Sequence, residues 1–167
     1  MRSPPWRSRI AYPGFGNGYM DSVSDGTELN VQMGFPVGQA LRVRNPSSTR
    51  TLLLSLPTTG YQNIVLRYAV RHTPNGARMQ RLYYQTEEGG PWLEFGDLVQ
   101  VLEDFEVFTF DFTGIEGVSD NPDFTVGIHF LGPEAEGSSG NNRFDNISLD
   151  GIPLGESPGT SQLWLVR

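Results

Sequence analysis

The sequence predicts an all-β domain, a two-sheet antiparallel β-sandwich of the jelly-roll kind. Twenty glycines and twelve prolines punctuate 167 residues at short intervals, and these are the residues that turns demand. Between them apolar residues recur with period two rather than 3.6, the spacing of a strand with one buried face. The stretch "TPNG" places Asn75-Gly76 between two alternating runs, and Asn-Gly is the strongest short hairpin signal because both residues tolerate positive φ. About eight short strands with turns between them, and no convincing amphipathic helix, describe a sandwich rather than an α/β fold.

The elements follow in order as one domain. Residues 1–37 form a Gly-, Pro- and Ser-rich segment with one possible strand near "RIAYPGF"; residues 38–154 are the sandwich; residues 155–167 are a linker and an apolar stub at 163–166. Strands are expected over 40–44, 51–56, 63–73, 77–86, 105–112, 124–130 and 143–149. In 63–73, Ile64, Leu66, Tyr68 and Val70 share a face opposite Asn63, Arg67 and Arg71. In 77–86, Leu82 and Tyr84 face in while Arg81, Tyr83 and Gln85 face out, and "TEEGGPW" after them is a turn. Phe108, Phe110 and Phe112 form one inward row, and Phe124, Val126, Ile128 and Phe130 another, with His129 on the far side. In the last strand Asp145 shares the parity of Ile147 and Leu149, which points a carboxylate at the core.

Composition narrows the function. Twelve basic residues, all arginine, stand against 19 acidic ones for a net charge of -7, which argues against nucleic acid or an anionic membrane as partner. There is no cysteine, so stability must come from packing or from a metal held by oxygens. No window approaches the roughly 18 apolar residues of a membrane span. The chain reads as a soluble extracellular or cell-surface module whose export signal lies outside it.

No catalytic constellation stands out. His72 and His129 are the only histidines and have no metal-binding spacing. Glu87-Glu88 and Glu103-Asp104 read as solvated turn acids, and "GFGNGY" lacks the βαβ context of a phosphate loop. Asn146-Ile147-Ser148 matches a glycosylation sequon inside an expected strand. An inward Asp145 is too costly to leave unpaired and requires an arginine, backbone N–H donors or a cation. A calcium ion, with Asp21, Asp25 and Glu28 of "DSVSDGTE" as further oxygen ligands, is one solution; a loop anchored through backbone contacts or Arg143 is the other. The outward rows carry Arg42, Arg44, Arg67, Arg71, Arg81, Tyr83, Asp111 and His129, with Trp92 in the adjoining turn. They are either a solvated arginine surface or a shallow platform where aromatic rings stack on sugars and polar groups bind hydroxyls.

The blocks "ALRVRNP", "TTGYQNIVLRYAVRHTPNGARMQRLYYQT", "FEVFTFDFTGIEGVSDNPDFTVGIHF" and "GNNRFDNISLDG" resemble successive pieces of the jelly-roll modules of bacterial secreted and cell-surface proteins. Those modules are similar in architecture to calcium-containing carbohydrate-binding modules, and the resemblance covers roughly residues 38–151. It implies that Asp145, opening the last strand, helps to hold a structural Ca2+. The expected function is a non-catalytic extracellular module that binds a polysaccharide or related surface polymer. Asp145, Asp21, Asp25 and Glu28 are the expected metal ligands, and Arg67, Arg71, Tyr83, Gln85, Trp92 and His129 the expected ligand contacts. One alternative is a subunit of an extracellular filament or sheath that assembles through its Trp-bearing ends, "MRSPPW" and "SQLWLVR". A polysaccharide-active hydrolase is a second alternative.

Overall fold

A computed structural model describes residues 7–32 and 34–166. Eleven strands account for nearly all regular structure: β1 Arg9–Ala11, β2 Met20–Val23, β3 Ala40–Arg44, β4 Thr51–Ser55, β5 Tyr61–His72, β6 Met79–Gln85, β7 Leu93–Gln100, β8 Glu106–Asp111, β9 Thr125–Leu131, β10 Asn141–Pro153 and β11 Gln162–Leu165. They form two antiparallel sheets, one in the order β1-β4-β9-β6-β7 and one in the order β2-β3-β10-β5-β8 with β11 also on β10. The crossovers between sheets are those of a jelly roll. No helix among the described residues is long and apolar enough to cross a membrane.

The inward rows meet between the sheets. Leu52, Leu54, Leu66, Tyr68, Leu82, Val126, Ile128, Phe130 and Phe144 are sealed from solvent in one core. At one end Phe112 stacks on Phe95 with centroids 4.0 Å apart, and Phe124 and Tyr84 stand edge-on to it at 5.1 and 5.8 Å. This aromatic cluster supplies apolar burial that a cysteine-free domain needs.

The seven expected strands are present with ends shifted by a few residues. Strand β7 has no period-two signature because Gly96 sits at φ 68° in a bulge: Gln80 and Leu82, two apart on β6, pair with Val99 and Phe95, four apart on β7. The segment before residue 38 contributes β1 to one sheet and β2 to the other. The apolar stub is a strand on the chain's own β10, with Trp164 edge-on to Tyr61 at 4.4 Å and Val166 7% exposed. The other proposed assembly element, "MRSPPW", lies outside the described residues.

A second bulge corrects the orientation expected of Asp145. Asp145 pairs with Ala69 and Ser148 with Arg67, so three steps on β10 match two on β5, and Asn146 absorbs the extra residue at φ 48°. Asparagine tolerates that left-handed backbone better than most residues. Phe144, paired with Val70, faces the core, as does Leu149, paired with Leu66. Asp145 therefore lies on the outer side of the sheet, opposite in parity to what strict alternation predicts.

Candidate functional site

The sandwich has two outer faces, and they differ in chemistry. On the six-stranded sheet, Arg42, Arg143 and Arg71 are cross-strand neighbours on β3, β10 and β5. Like charges directly opposite one another destabilise a sheet, so this row requires counter-charges. Asp21, on β2 beside Arg42, takes a forked pair from it at 2.5 and 2.7 Å, and that hydrogen bonding holds its carboxyl below the usual range. Asp25 accepts from Arg143 at 2.5 Å and Arg71 at 3.1 Å. Arg67 pairs with Asp150.

The loop carrying Asp25 is clasped by the β10 bulge. Asp145 Oδ2 accepts from the Thr27 N–H at 2.8 Å and Oδ1 from the Asn146 N–H at 2.8 Å. Asn146 Nδ2 donates to the carbonyls of Thr27 and Leu29 at 2.8 Å, so the sequon amide is committed to the loop. Asn30 returns a 2.6 Å bond to the Asn146 carbonyl.

These contacts do not fit the calcium cage expected from Asp145, Asp21, Asp25 and Glu28. Asp21 and Asp25 neutralise arginines, Asp145 is bound by backbone N–H groups, and Glu28 is exposed. Among the described residues no group of three or more His, Cys, Asp or Glu is placed to hold a metal. A chelator is expected to leave the melting temperature unchanged; a fall reversed by Ca2+ would place a cation in this loop after all.

Arg67 and Arg71 are likewise removed from the expected ligand site, because their charges are used by Asp150 and Asp25 on this face. Arg67→Met strands the Asp150 carboxylate, whose pKa burial already raises against the pull of Arg67. With Arg67 about a third exposed and Asp150 less so, solvent screening holds the expected loss to about 1–2 kcal/mol. Thermal denaturation should show that loss, with glycan affinity unchanged.

The remaining four expected contacts, Tyr83, Gln85, Trp92 and His129, come together on the five-stranded sheet. Tyr83 on β6 lies opposite Gly127 of β9, and His129, opposite Arg81 and Thr51, places its ring 4.5 Å from the Tyr83 ring at a tilt of 38°. Trp92 covers Gly127: a Cβ there would meet the indole Cζ3 at 3.2 Å and Thr51 Cγ2 at 3.2 Å. Glycine suits that outward strand position because the indole takes up most of the space a side chain would fill. Gln85, two residues on from Tyr83 on the same face of β6, donates its Nε2–H to the Gly90 carbonyl at 2.7 Å and so ties down the turn that delivers Trp92. Arg81 pairs with Glu94 of β7. The result is a half-exposed aromatic surface, Trp92 at 42%, flanked by Arg81, Glu94, Thr51 and His129 as hydrogen-bonding groups. Gly127, Thr51 and Glu94 were missed from sequence; the isolated glycine within an alternating strand was the available signal.

Burial holds the His129 imidazole below its ordinary 6.5. The folded state therefore favours neutral His129. The associated stability is complete above the ordinary value and is lost as pH falls from there through the folded value. Of the charged groups near the ring, Arg81 lies opposite His129 in register and is paired with Glu94. A ligand covering the ring adds desolvation, so affinity should be complete at neutral pH and fall as the pH drops below the ordinary imidazole value, with His129→Gln removing the dependence.

A separate cleft of about 440 Å³ opens beside β2, β3 and β10, lined by Ile10, Phe35, Leu41, Phe144, Ile147 and Val166 together with Asp145 and Asn146. Asp145 Oδ2 and Asn146 Nδ2 are already bonded to the loop, and Asp145 Oδ1 to the Asn146 N–H.

No protein-family model and no curated protein matches the chain. Solved structures match it in fold. The family 22 tandem of carbohydrate-binding modules from Paenibacillus barcinonensis Xyn10C gives a TM-score of 0.57 at 9% identity over 87% of this chain and 43% of that one. The family 11 carbohydrate-binding module of the Clostridium thermocellum cellulosomal cellulase Lic26A-Cel5E gives 0.53 at 13% identity over 92% and 91%. The enzymatically active domain of bacteriophage CBA120 tailspike protein 4 gives 0.51 at 9% identity over 87% of this chain, which spans only 19% of that one. The architecture is the jelly-roll sandwich of carbohydrate-binding modules.

Proposed function

We propose that the protein is a non-catalytic extracellular module whose five-stranded sheet binds a polysaccharide or related surface polymer along its outer face. The observation that carries this reading is Trp92 seated over Gly127 beside the Tyr83–His129 pair. An exposed indole on a flat sheet offers an apolar ring face to the C–H face of a pyranose, and the surrounding donors and acceptors suit its hydroxyls. The likeness in fold to carbohydrate-binding modules supports the same reading.

The charge pattern suits an uncharged polymer. Arg81 is balanced by Glu94, burial disfavours the charged form of His129, and the chain carries a net charge of -7. A polyuronate would meet repulsion there, because Arg81, the cation opposite His129, is already neutralised by Glu94. Isothermal titration with cellohexaose, xylohexaose and mannohexaose, and with a polygalacturonate oligomer, tests the proposal. Heat from at least one neutral hexaose and none from the polyuronate is expected. Failure of every neutral glycan, both here and in affinity electrophoresis against insoluble and branched polysaccharides, would overturn it.

A further inference from the structure

We infer that Phe15 is a second stacking contact for the same polymer, at the far end of the five-stranded face; this rests on the polymer-binding reading above. Phe15 is 82% exposed, whereas the next most exposed large apolar residue among those described, Tyr19, is 49% exposed. Such exposure carries a solvation cost, yet the loop that displays the ring is firmly held. The Phe15 N–H donates to the Thr49 carbonyl at 3.2 Å, and Thr49 Oγ1 donates to the Phe15 carbonyl at 2.7 Å. Arg50 donates to the carbonyls of Tyr12 and Gly16 at 2.6 and 3.0 Å while its guanidinium lies over the Tyr12 ring. At Gly14, φ 146°, an added Cβ would stand 2.3 Å from the Thr49 carbonyl oxygen.

Register aims the ring. Ala11 pairs with Leu53, the Thr51 N–H donates to the Pro13 carbonyl, and Gly14 bridges Arg50, so the pairing runs on without a bulge to Phe15 opposite Thr49. Ala11, Pro13 and Phe15 therefore share the side of Leu53, Thr51 and Thr49. That is the platform side, because Thr51 Cγ2 and the Trp92 indole both border the point above Gly127. Gly127 pairs with Leu53, and the step from Leu53 back to Thr49 adds about 13 Å along the strand direction. A hexaose lying across the face reaches from Trp92 to Phe15; a disaccharide on Trp92 does not.

The test compares Phe15→Ala, Phe15→Tyr and Trp92→Ala on a hexaose that binds the wild type and on the matching disaccharide. Phe15→Ala is expected to weaken hexaose binding about fivefold or more and leave the disaccharide unchanged, with Phe15→Tyr retaining affinity. Trp92→Ala should weaken both. If Phe15→Ala binds the hexaose like wild type while Trp92→Ala fails, the Phe15 contact is wrong and the platform stands. If Trp92→Ala binds both like wild type, the platform reading and this extension fall together. Cosedimentation of the wild type, but not Phe15→Ala, with phosphatidylcholine vesicles would also overturn the assignment by giving Phe15 to a membrane surface.

Discussion

Trp92→Ala is expected to lower hexaose affinity by about 30-fold or more, roughly 2 kcal/mol, the loss typical of an aromatic anchor at the centre of an interface. The melting temperature should hardly change. The indole lies outside the core and is 42% exposed, and surface substitutions away from caps and networks stay within about 0.5 kcal/mol. The seat can be tested independently of the ring. Gly127→Leu puts side-chain atoms where the indole Cζ3 and Cη2 now lie, 3.2 and 3.5 Å from the Cβ position. The tryptophan must swing away, and affinity should fall with Trp92 still present. Titration calorimetry beside differential scanning fluorimetry separates the two effects. Wild-type affinity in both variants would remove the platform as the binding face.

The largest stability loss from one polar side chain is expected at Asn45. It is 5% exposed, and its Nδ2 donates to the carbonyls of Asn75, Glu134 and Ser139 at 2.9, 2.7 and 2.8 Å. Its Oδ1 accepts from the Ser47 hydroxyl at 3.0 Å. Two amide hydrogens thus serve three carbonyls, from the β5–β6 turn, the 3₁₀ turn Pro133–Glu136 and the loop into β10. Asn45→Ala leaves those acceptors without their common donor, a loss of about 2–4 kcal/mol. Asn45→Asp should be worse near neutral pH because a carboxylate only accepts and would face three carbonyl oxygens. At about 3 kcal/mol the melting temperature drops by roughly 10 °C. The Asn45→Asp deficit should narrow in acid, where a protonated carboxyl regains one donor. Equal stability of Asn45→Asp and wild type at neutral pH would refute the clamp.

The core was legible because alternation is local. Rows such as Phe124, Val126, Ile128 and Phe130 declare their buried side within seven residues, and all four are sealed in the core. The alternation failed where a bulge inserts a residue. Gly96 hid β7, and Asn146 reversed the side of Asp145. Neither bulge is marked by hydrophobicity, since each answers to hydrogen bonding with a neighbouring strand.

The site was half legible for a related reason. Period two identifies an outward residue without identifying which of two outer faces it occupies. Arg67 and Arg71 shared that pattern with Tyr83 and His129, yet β5 belongs to one sheet and β6 and β9 to the other. Likewise Asp21 and Asp25 were visible as nearby acids, but their partners are the arginines that the order β3-β10-β5 sets side by side.

Local pattern alone yields the antiparallel sandwich, its principal inward rows and the candidacy of Tyr83, Trp92 and His129; it misreads Asn75-Gly76, whose turn carries the chain from β5 of one sheet to β6 of the other instead of closing a hairpin, with neither residue at positive φ. Long-range pairing and packing, invisible to local pattern, seat Trp92 over Gly127, turn Asp145 to clasp a loop and put Phe15 on the platform face. Side-chain alternation and turn preference arise from a few adjacent residues, whereas strand order, register and bulges arise from hydrogen bonds between segments as far apart as residues 15 and 49 or 69 and 145.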